Sequence, residues 1–335
     1  MLDVQNRLFD QLRTKIPGDE VLGKIIMDDL NLSRDSAYRR VRGETSLTPE
    51  EIKILCMKYD ISFDKIMGIE GKSVTFQYSP INKREYTING YMQGVNFAFT
   101  RMAAQRQSKL YLSNLDITVF QLLNFPDLMR LKLLYFAKIY VKSPKYEDVL
   151  FELGWKGDLE DDLLRDTLLK YVKIPSMEVI GIDAGKGLIR EIVTFYEAGH
   201  IKSKKDVLGL LDQVAQLLGH VDSQMQVGKK FVFGSSAPAS DANYEIFLTQ
   251  TYLQDNTFIT DTNAYRMLYI THNMINYLYT HDTDYVNHSY RVFQNLIENC
   301  SSLIGTSAKR RIPYFEGLQQ VLDKARIRIE GVDLY

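Results

Sequence analysis

The chain has 335 residues, 45% hydrophobic and 25% charged, which excludes a disordered or fibrous protein and fits two globular domains. Forty-one lysines and arginines against 42 acids leave a net charge of −1, so the whole chain is no nucleic-acid coat and any anion-binding surface has to be local. Two cysteines, Cys56 and Cys300, are too few for a disulfide framework or a structural zinc site. No apolar run nears the roughly 18 to 20 residues of a membrane helix, and MLDVQNRLFDQLR lacks a secretory pattern, so the expectation is a soluble, cytoplasmic protein without a membrane partner.

Residues 1–70 read as short helices with clear punctuation. Leu8, Leu12 and Ile16, with Phe9 beside them, line one helix face that stops at Pro17-Gly18. Asp19 is placed to cap a second helix whose apolar face is Leu22, Ile25, Ile26 and Leu30. Asn31-Leu32-Ser33 interrupts the pattern, and Ser33 caps a third helix running to Arg42-Gly43, where glycine suits the left-handed turn that ends a helix. Thr48-Pro49-Glu50-Glu51 is a capping box with proline at the first helical position, followed by Ile52, Leu55, Cys56 and Tyr59 at helical spacing. A last short turn spans Ser62 to Met67.

Residues 71–90 read as a linker with a short strand at Val74 to Tyr78, because Gly71, Ser79-Pro80 and Asn89-Gly90 sit among β-prone residues. Beyond it, Tyr91 to Gln107, Pro126 to Val141, Leu159 to Val172, Gly187 to Ala198 and Lys205 to Leu218 read as helices. Gly228 to Asp241 reads as a loop. Tyr244 to Tyr252 and Thr257 to Asp261 are β-prone runs separated by Gln254-Asp255-Asn256, which suggests a hairpin. Tyr265 to Thr271 reads as a third strand or as the start of a helix ending near Thr280, and two final helices span Tyr285 to Leu303 and Tyr314 to Ile327. No fixed-period solenoid repeat stands out.

The segment from Asp19 to Gly68 is where the sequence becomes specific. Ile26, Leu30, the turn Asn31-Leu32-Ser33, Ala37, Arg42-Gly43, the helix from Pro49 to Leu55 and Ile61-Ser62-Phe63-Asp64 resemble the helix-turn-helix of phage-repressor-like (Xre-type) transcription regulators. Charge points the same way without that comparison. Arg34, Arg39, Arg40 and Arg42 stand against Asp35 alone between Ser33 and Gly43, whereas residues 1–72 hold 12 basic and 13 acidic side chains. The resemblance implies that Arg34, Asp35, Ser36 and Arg39 face base edges in the major groove, that Ser33 and Arg42 meet phosphates, and that Tyr38 packs on a thymine methyl or a sugar. One position departs from the family pattern: the apolar residue expected seven after the turn serine is Arg40, with Val41 at eight. Either the helix is rotated to turn Tyr38 and Val41 inward, or Arg40 snorkels from the core edge.

The remaining residues hold 29 basic and 29 acidic side chains and offer no electrostatic case for wrapping DNA. Leu115 to Phe120, Phe125 to Lys132 and Ser301 to Arg311 resemble segments shared by a group of uncharacterised bacterial regulators with this same N-terminal domain. In layout alone, the chain also resembles peptide-responsive regulators with helical-repeat sensor domains. No catalytic set is found. His200, His220, His272, His281 and His288 form no ligand pattern for a metal. Gly181-Ile182-Asp183-Ala184-Gly185-Lys186-Gly187 is similar to a phosphate loop but lacks its glycine spacing and its Ser or Thr after lysine, and Ser235-Ser236 is no nucleophile elbow. Glu160-Asp161-Asp162 reads as a solvated face. Tyr135, Tyr140, Tyr265, Tyr269, Tyr277 and Tyr279, read as helical, form a core and helix interface or line a ligand groove.

The expected fold is therefore mainly α: an N-terminal repressor-like helix-turn-helix domain (1–70), a linker (71–90), and a mostly helical sensor and dimerisation domain (91–335) with a small antiparallel β element. The expected function is a non-enzymatic DNA-binding transcription regulator, a homodimer without cofactor or metal, reading double-stranded DNA with helix 33–43. Its C-terminal domain would dimerise and could take a peptide or small-molecule effector. The alternative is a protein-interaction module whose repressor-like domain docks a partner protein.

Overall fold

A computed structural model describes residues 2–16, 22–68, 73–235, 242–272, 276–305 and 309–331. The chain divides into two units, Met1–Ser73 and Val74–Tyr335. The helix stop at Pro17-Gly18, the cap at Asp19 and the loop residues 236–241 lie outside the described residues.

The N-terminal unit contains α1 (Leu2–Lys15), α2 (Leu22–Asp29), α3 (Arg34–Val41), α4 (Pro49–Tyr59) and α5 (Phe63–Met67). Leu8, Phe9, Leu12, Leu22, Ile26, Ala37, Leu47, Leu55 and Ile66 are buried together, at roughly 1.5 to 3 kcal/mol for each large side chain taken from water. Between α2 and α3 the backbone reverses through Asn31 at φ 50°, a left-handed position that asparagine tolerates, and the Leu32 N–H donates to the Met27 carbonyl at 2.9 Å. Both halves of the capping box at α4 are made: the Glu51 N–H donates to Thr48 Oγ1 (3.2 Å) and the Thr48 N–H to Glu51 Oε2 (2.9 Å).

The C-terminal unit corrects the expected fold class. Eight strands among the described residues form one mixed sheet in the order β1-β7-β6-β5-β2-β3-β4-β8, so the architecture is mixed α/β rather than mainly α with a small antiparallel element. In chain order its elements are β1 (Gln77–Tyr78), α6 (Ile88–Ala103), β2 (Ser108–Asn114), α7 (Pro126–Tyr135), α8 (Asp161–Tyr171), β3 (Ser176–Gly181), α9 (Lys186–Glu197) and α10 (Lys204–Val227). There follow β4 (Tyr244–Thr249), β5 (Thr257–Thr262), β6 (Arg266–His272), β7 (Asn276–Thr280), α11 (Thr283–Glu298), β8 (Ser301–Ser302) and α12 (Arg311–Glu330). A 3-10 segment (Val119–Asn124) precedes α7, and a π-helical segment (Phe136–Val141) extends it. Residues of the expected linker supply β1, which pairs with β7, and the start of α6.

Parallel β2, β3 and β4 lie side by side between antiparallel β5 and the edge strand β8, linked by α7–α8 and α9–α10. Successive residues point to opposite faces. Leu110, Leu112, Ile180, Ile246 and Leu248 meet the helices of the larger core, while Tyr111, Val179, Ile259 and Leu268 meet Val286 and Phe293 of α11. A strand buried on both faces carries no apolar-polar alternation, so β2 and β3 give no strand signal in the sequence. The expected hairpin of 244–252 with 257–261 does not form: β4 pairs with β3 and β8, and β5 with β2 and β6. The turn at Gln254-Asp255-Asn256 instead carries the chain across the sheet. Residues 266–272 are the strand alternative, and Tyr269, Tyr277 and Tyr279 lie on strands, not helices. No helix among the described residues is long and apolar enough to cross a membrane.

Candidate functional site

Helix α3 is anchored at both ends and exposed along one side. Ser33 is its N-cap and its Oγ accepts from the Ser36 N–H at 3.4 Å, leaving its own hydroxyl proton free to donate. At the other end, the Gly43 N–H (φ 76°) donates to the Arg40 carbonyl at 3.0 Å and the Glu44 N–H to the Arg39 carbonyl at 2.9 Å, the paired bonds of a Schellman motif. Buried Gln5 of α1 ties the following turn down. Its Nε2 donates to the carbonyls of Arg40 (2.7 Å) and Thr45 (3.1 Å), and its Oε1 accepts from the Leu47 N–H (2.7 Å).

Ala37 is the fully buried residue of α3, and Val41 packs beside the core. Ser33, Arg34, Asp35, Arg39 and Arg42 are exposed, whereas Ser36 and Tyr38 are half-buried. The Tyr38 ring lies against α2 where Gly23 leaves room: a Cβ there would come within 2.7 Å of it. The Arg34 guanidinium sits 5.7 Å from the centre of the same ring. Arg40 takes the snorkelling course. Its guanidinium leaves the core edge to meet Glu51 of α4 through Nε (3.1 Å) and Nη2 (2.9 Å), and Nη1 donates to Ser36 Oγ at 2.8 Å. Both partners are only 13–14% exposed, so this pair joins α3 to α4 and is removed from any surface role.

Arg39 and Arg42 share an acid that the count between Ser33 and Gly43 left out. Glu44 accepts from Arg42 Nε (2.6 Å) and Nη2 (3.1 Å) and lies 3.6 Å from Arg39 Nε. Arg42 holds the Glu44 carboxyl below its ordinary range, and Glu44 raises Arg42 in turn. Among the described residues, Arg34 is the one arginine of the helix that enters no ion pair.

In the C-terminal unit the loop 181–187 does form a strand-to-helix turn, with Gly185 at φ 91°. The anion at the start of α9 is internal. The Asp116 carboxylate accepts from the backbone N–H groups of Gly185, Ile117 and Leu188, the last at 3.2 Å. An adjacent cavity of about 40 Å³, lined in part by Asp116, Lys132 and Leu218, has room for water. Glu160, Asp161 and Asp162 are all exposed, the solvated face expected of them, and the Asp161 carboxylate also accepts from Lys156 and from buried Arg130, which hold it down to about 2. The Tyr135 and Tyr140 rings pack edge to face at 5.6 Å, and Tyr269 stacks on Tyr279 at 5.8 Å. No group of three or more His, Cys, Asp or Glu among the described residues could hold a metal ion.

Sequence reading missed a buried cluster beneath the sheet. Lys230 is fully buried with its Nζ 3.9 Å from the Tyr171 ring centre, and Glu178 on β3 is buried with Ser176 Oγ at 3.3 Å. Burial pushes Lys230 down and Glu178 up, each resisted by the other's charge. Only the pairing of distant strands and loops brings these two together, so no local signal could have found them. Comparison of the chain with protein-family models, with curated proteins and with solved structures finds no match.

Proposed function

We propose that the protein is a sequence-specific DNA-binding transcription regulator whose helix α3 enters the major groove, with the C-terminal unit serving dimerisation. One observation carries the reading: Ser33, Arg34, Asp35, Arg39 and Arg42 are all exposed on a helix fixed at both ends. A groove-reading helix needs its first-turn side chains free and its axis fixed, since base contacts depend on position to within a few tenths of an ångström. Arg34, in no ion pair among the described residues, is suited to a guanine edge. Arg39 adds a second base contact, and Ser33 and Arg42 suit phosphates. A head of this size buries too little surface for tight binding alone, and two heads about 34 Å apart would reach successive major-groove faces. The effector part of the reading gains nothing from the cavity beside Asp116, far below the roughly 300 to 1,000 Å³ of an ordinary small-molecule site.

The test is anisotropy binding to a duplex selected from a random pool and to unselected duplex. Arg39→Ala costs roughly 1 to 3 kcal/mol on the selected duplex and relaxes specificity, whereas Arg42→Ala weakens both alike. Equal losses on both duplexes for both variants would refute that division of roles. A second reading, docking of a partner protein, is favoured by Ile54, Met57, Phe63 and Met67, large apolar side chains on α4 and α5 that are 41–74% exposed. Salt separates the two, because phosphate binding weakens steeply as salt rises and apolar docking does not.

A further inference from the structure

We propose that Glu44 is a built-in competitor for DNA at Arg39 and Arg42, a residue that holds both arginines in the free protein, the first away from base edges and the second away from phosphate, and sets how weakly they bind non-specific DNA. The inference rests on the DNA-binding reading and adds to it a residue that touches no base. Glu44 meets Arg42 in the two-point geometry with which a guanidinium grips a phosphate, and its second oxygen faces Arg39. The carboxylate therefore stands where a backbone phosphate would stand against Arg42.

This placement is fixed by the fold. Gly43 takes the left-handed turn that delivers the Glu44 N–H to the Arg39 carbonyl, and the Gln5 amide holds the turn on both sides, at Arg40 and at Thr45. With Arg40 held by Glu51, and Arg39 and the C-cap residue Arg42 held by Glu44, the segment 34–42 offers Arg34 without an ion pair to break among the described residues, and Arg39 and Arg42 only in exchange for Glu44. The exchange is within reach energetically, since all three side chains of the Glu44 cluster are about half exposed (48–53%) and pairs in such positions are weak. Any duplex must displace Glu44 to gain these contacts, and only a sequence that also satisfies Arg34 and Arg39 at base edges adds enough to make the exchange favourable. Glu44 thus lowers binding to all DNA and makes the base contacts decisive.

The experiment uses the full chain and a labelled random-sequence duplex, titrated across a salt series. Glu44→Gln removes the charge and keeps the length; Asp64→Asn, which removes one exposed acid from α5, controls for net charge. The proposal expects Glu44→Gln to bind about threefold to tenfold tighter, with a log–log salt slope steeper by roughly 0.9. It expects Asp64→Asn to stay near wild type, and the Glu44→Gln gain to fall below twofold when Arg39 and Arg42 are both alanine. Glu44→Gln binding like wild type or like Asp64→Asn overturns the inference, as does a full gain without the two arginines. In those cases the DNA reading stands, provided wild-type binding weakens with salt and Arg42→Ala flattens the slope. Absence of duplex binding by every variant at low salt overturns the DNA reading, and the inference with it.

Discussion

His220 on α10 is 5% exposed, with the rings of Phe231, Phe233 and Phe125 centred 5.0, 5.5 and 6.5 Å away and its Nε2 3.0 Å from the Phe231 carbonyl. Burial holds its pKa down to about 4, only partly offset by the carbonyl, against an ordinary 6.5. With the folded value below the unfolded one, the unfolded chain takes up the proton first as pH falls. The neutral histidine's contribution is therefore complete above about pH 7, is lost between about pH 6.5 and 4, and changes little below. Integration from pH 7 to pH 5 gives a loss of about 2 kcal/mol. Urea unfolding followed by Trp155, the single tryptophan and a residue of the C-terminal unit, measures this. His220→Gln, which cannot titrate, should lose about 2 kcal/mol less than wild type between the two pH values. Parallel pH dependence in the two proteins would refute the burial of an uncharged His220.

Other packing claims are open to equally direct tests. Arg40→Ala should destabilise the N-terminal unit by roughly 1 to 3 kcal/mol in thermal unfolding, because it strands Glu51 in a half-buried place. Gly187→Ala should cost about 2 kcal/mol or more, since a Cβ there runs into the Asp116 carboxylate at the start of α9, and a fall in Tm of the C-terminal unit reports it. Lys230→Met should extend to higher pH the loss of stability that accompanies ionisation of buried Glu178, because the lysine charge is what resists the upward push of burial on that carboxyl, and adding Glu178→Gln should remove this pH dependence in the same urea assay.

How much of this was legible in the sequence follows from where each signal resides. The helices of residues 1–70 announce themselves through caps and spacing that act within one or two turns: Thr48 with Glu51, Ser33, and Gly43. The sheet did not, because β2 and β3 are short strands covered on both faces, so Leu110 to Leu112 and Val179 to Ile180 show no alternation. The 244–252 and 257–261 runs read as strands, but β4 is paired with β3 by the crossover through α9 and α10 while β5 pairs with β2 and with β6, so nearness in sequence suggests a hairpin between them that does not form. At the candidate site the arginines were visible and their partners were not. Glu51 was read as a capping residue and proves also to hold Arg40, while Glu44 lies just past the helix end and turns back onto it through the Gly43 turn. Charge counted along the chain overstated the free positive charge of α3, since pairing across a turn depends on three-dimensional geometry.

Hydrogen–deuterium exchange of the full chain, with and without random-sequence duplex DNA at low salt, addresses the central claim most directly, since it asks where the nucleic acid sits. The account predicts slowed exchange from the turn at Asn31 through α3 to Glu44, abolished by raised salt and by combined Arg34→Ala and Arg42→Ala substitution. Exchange unchanged across residues 31–44 while DNA is bound, with protection confined to the C-terminal unit, would contradict it.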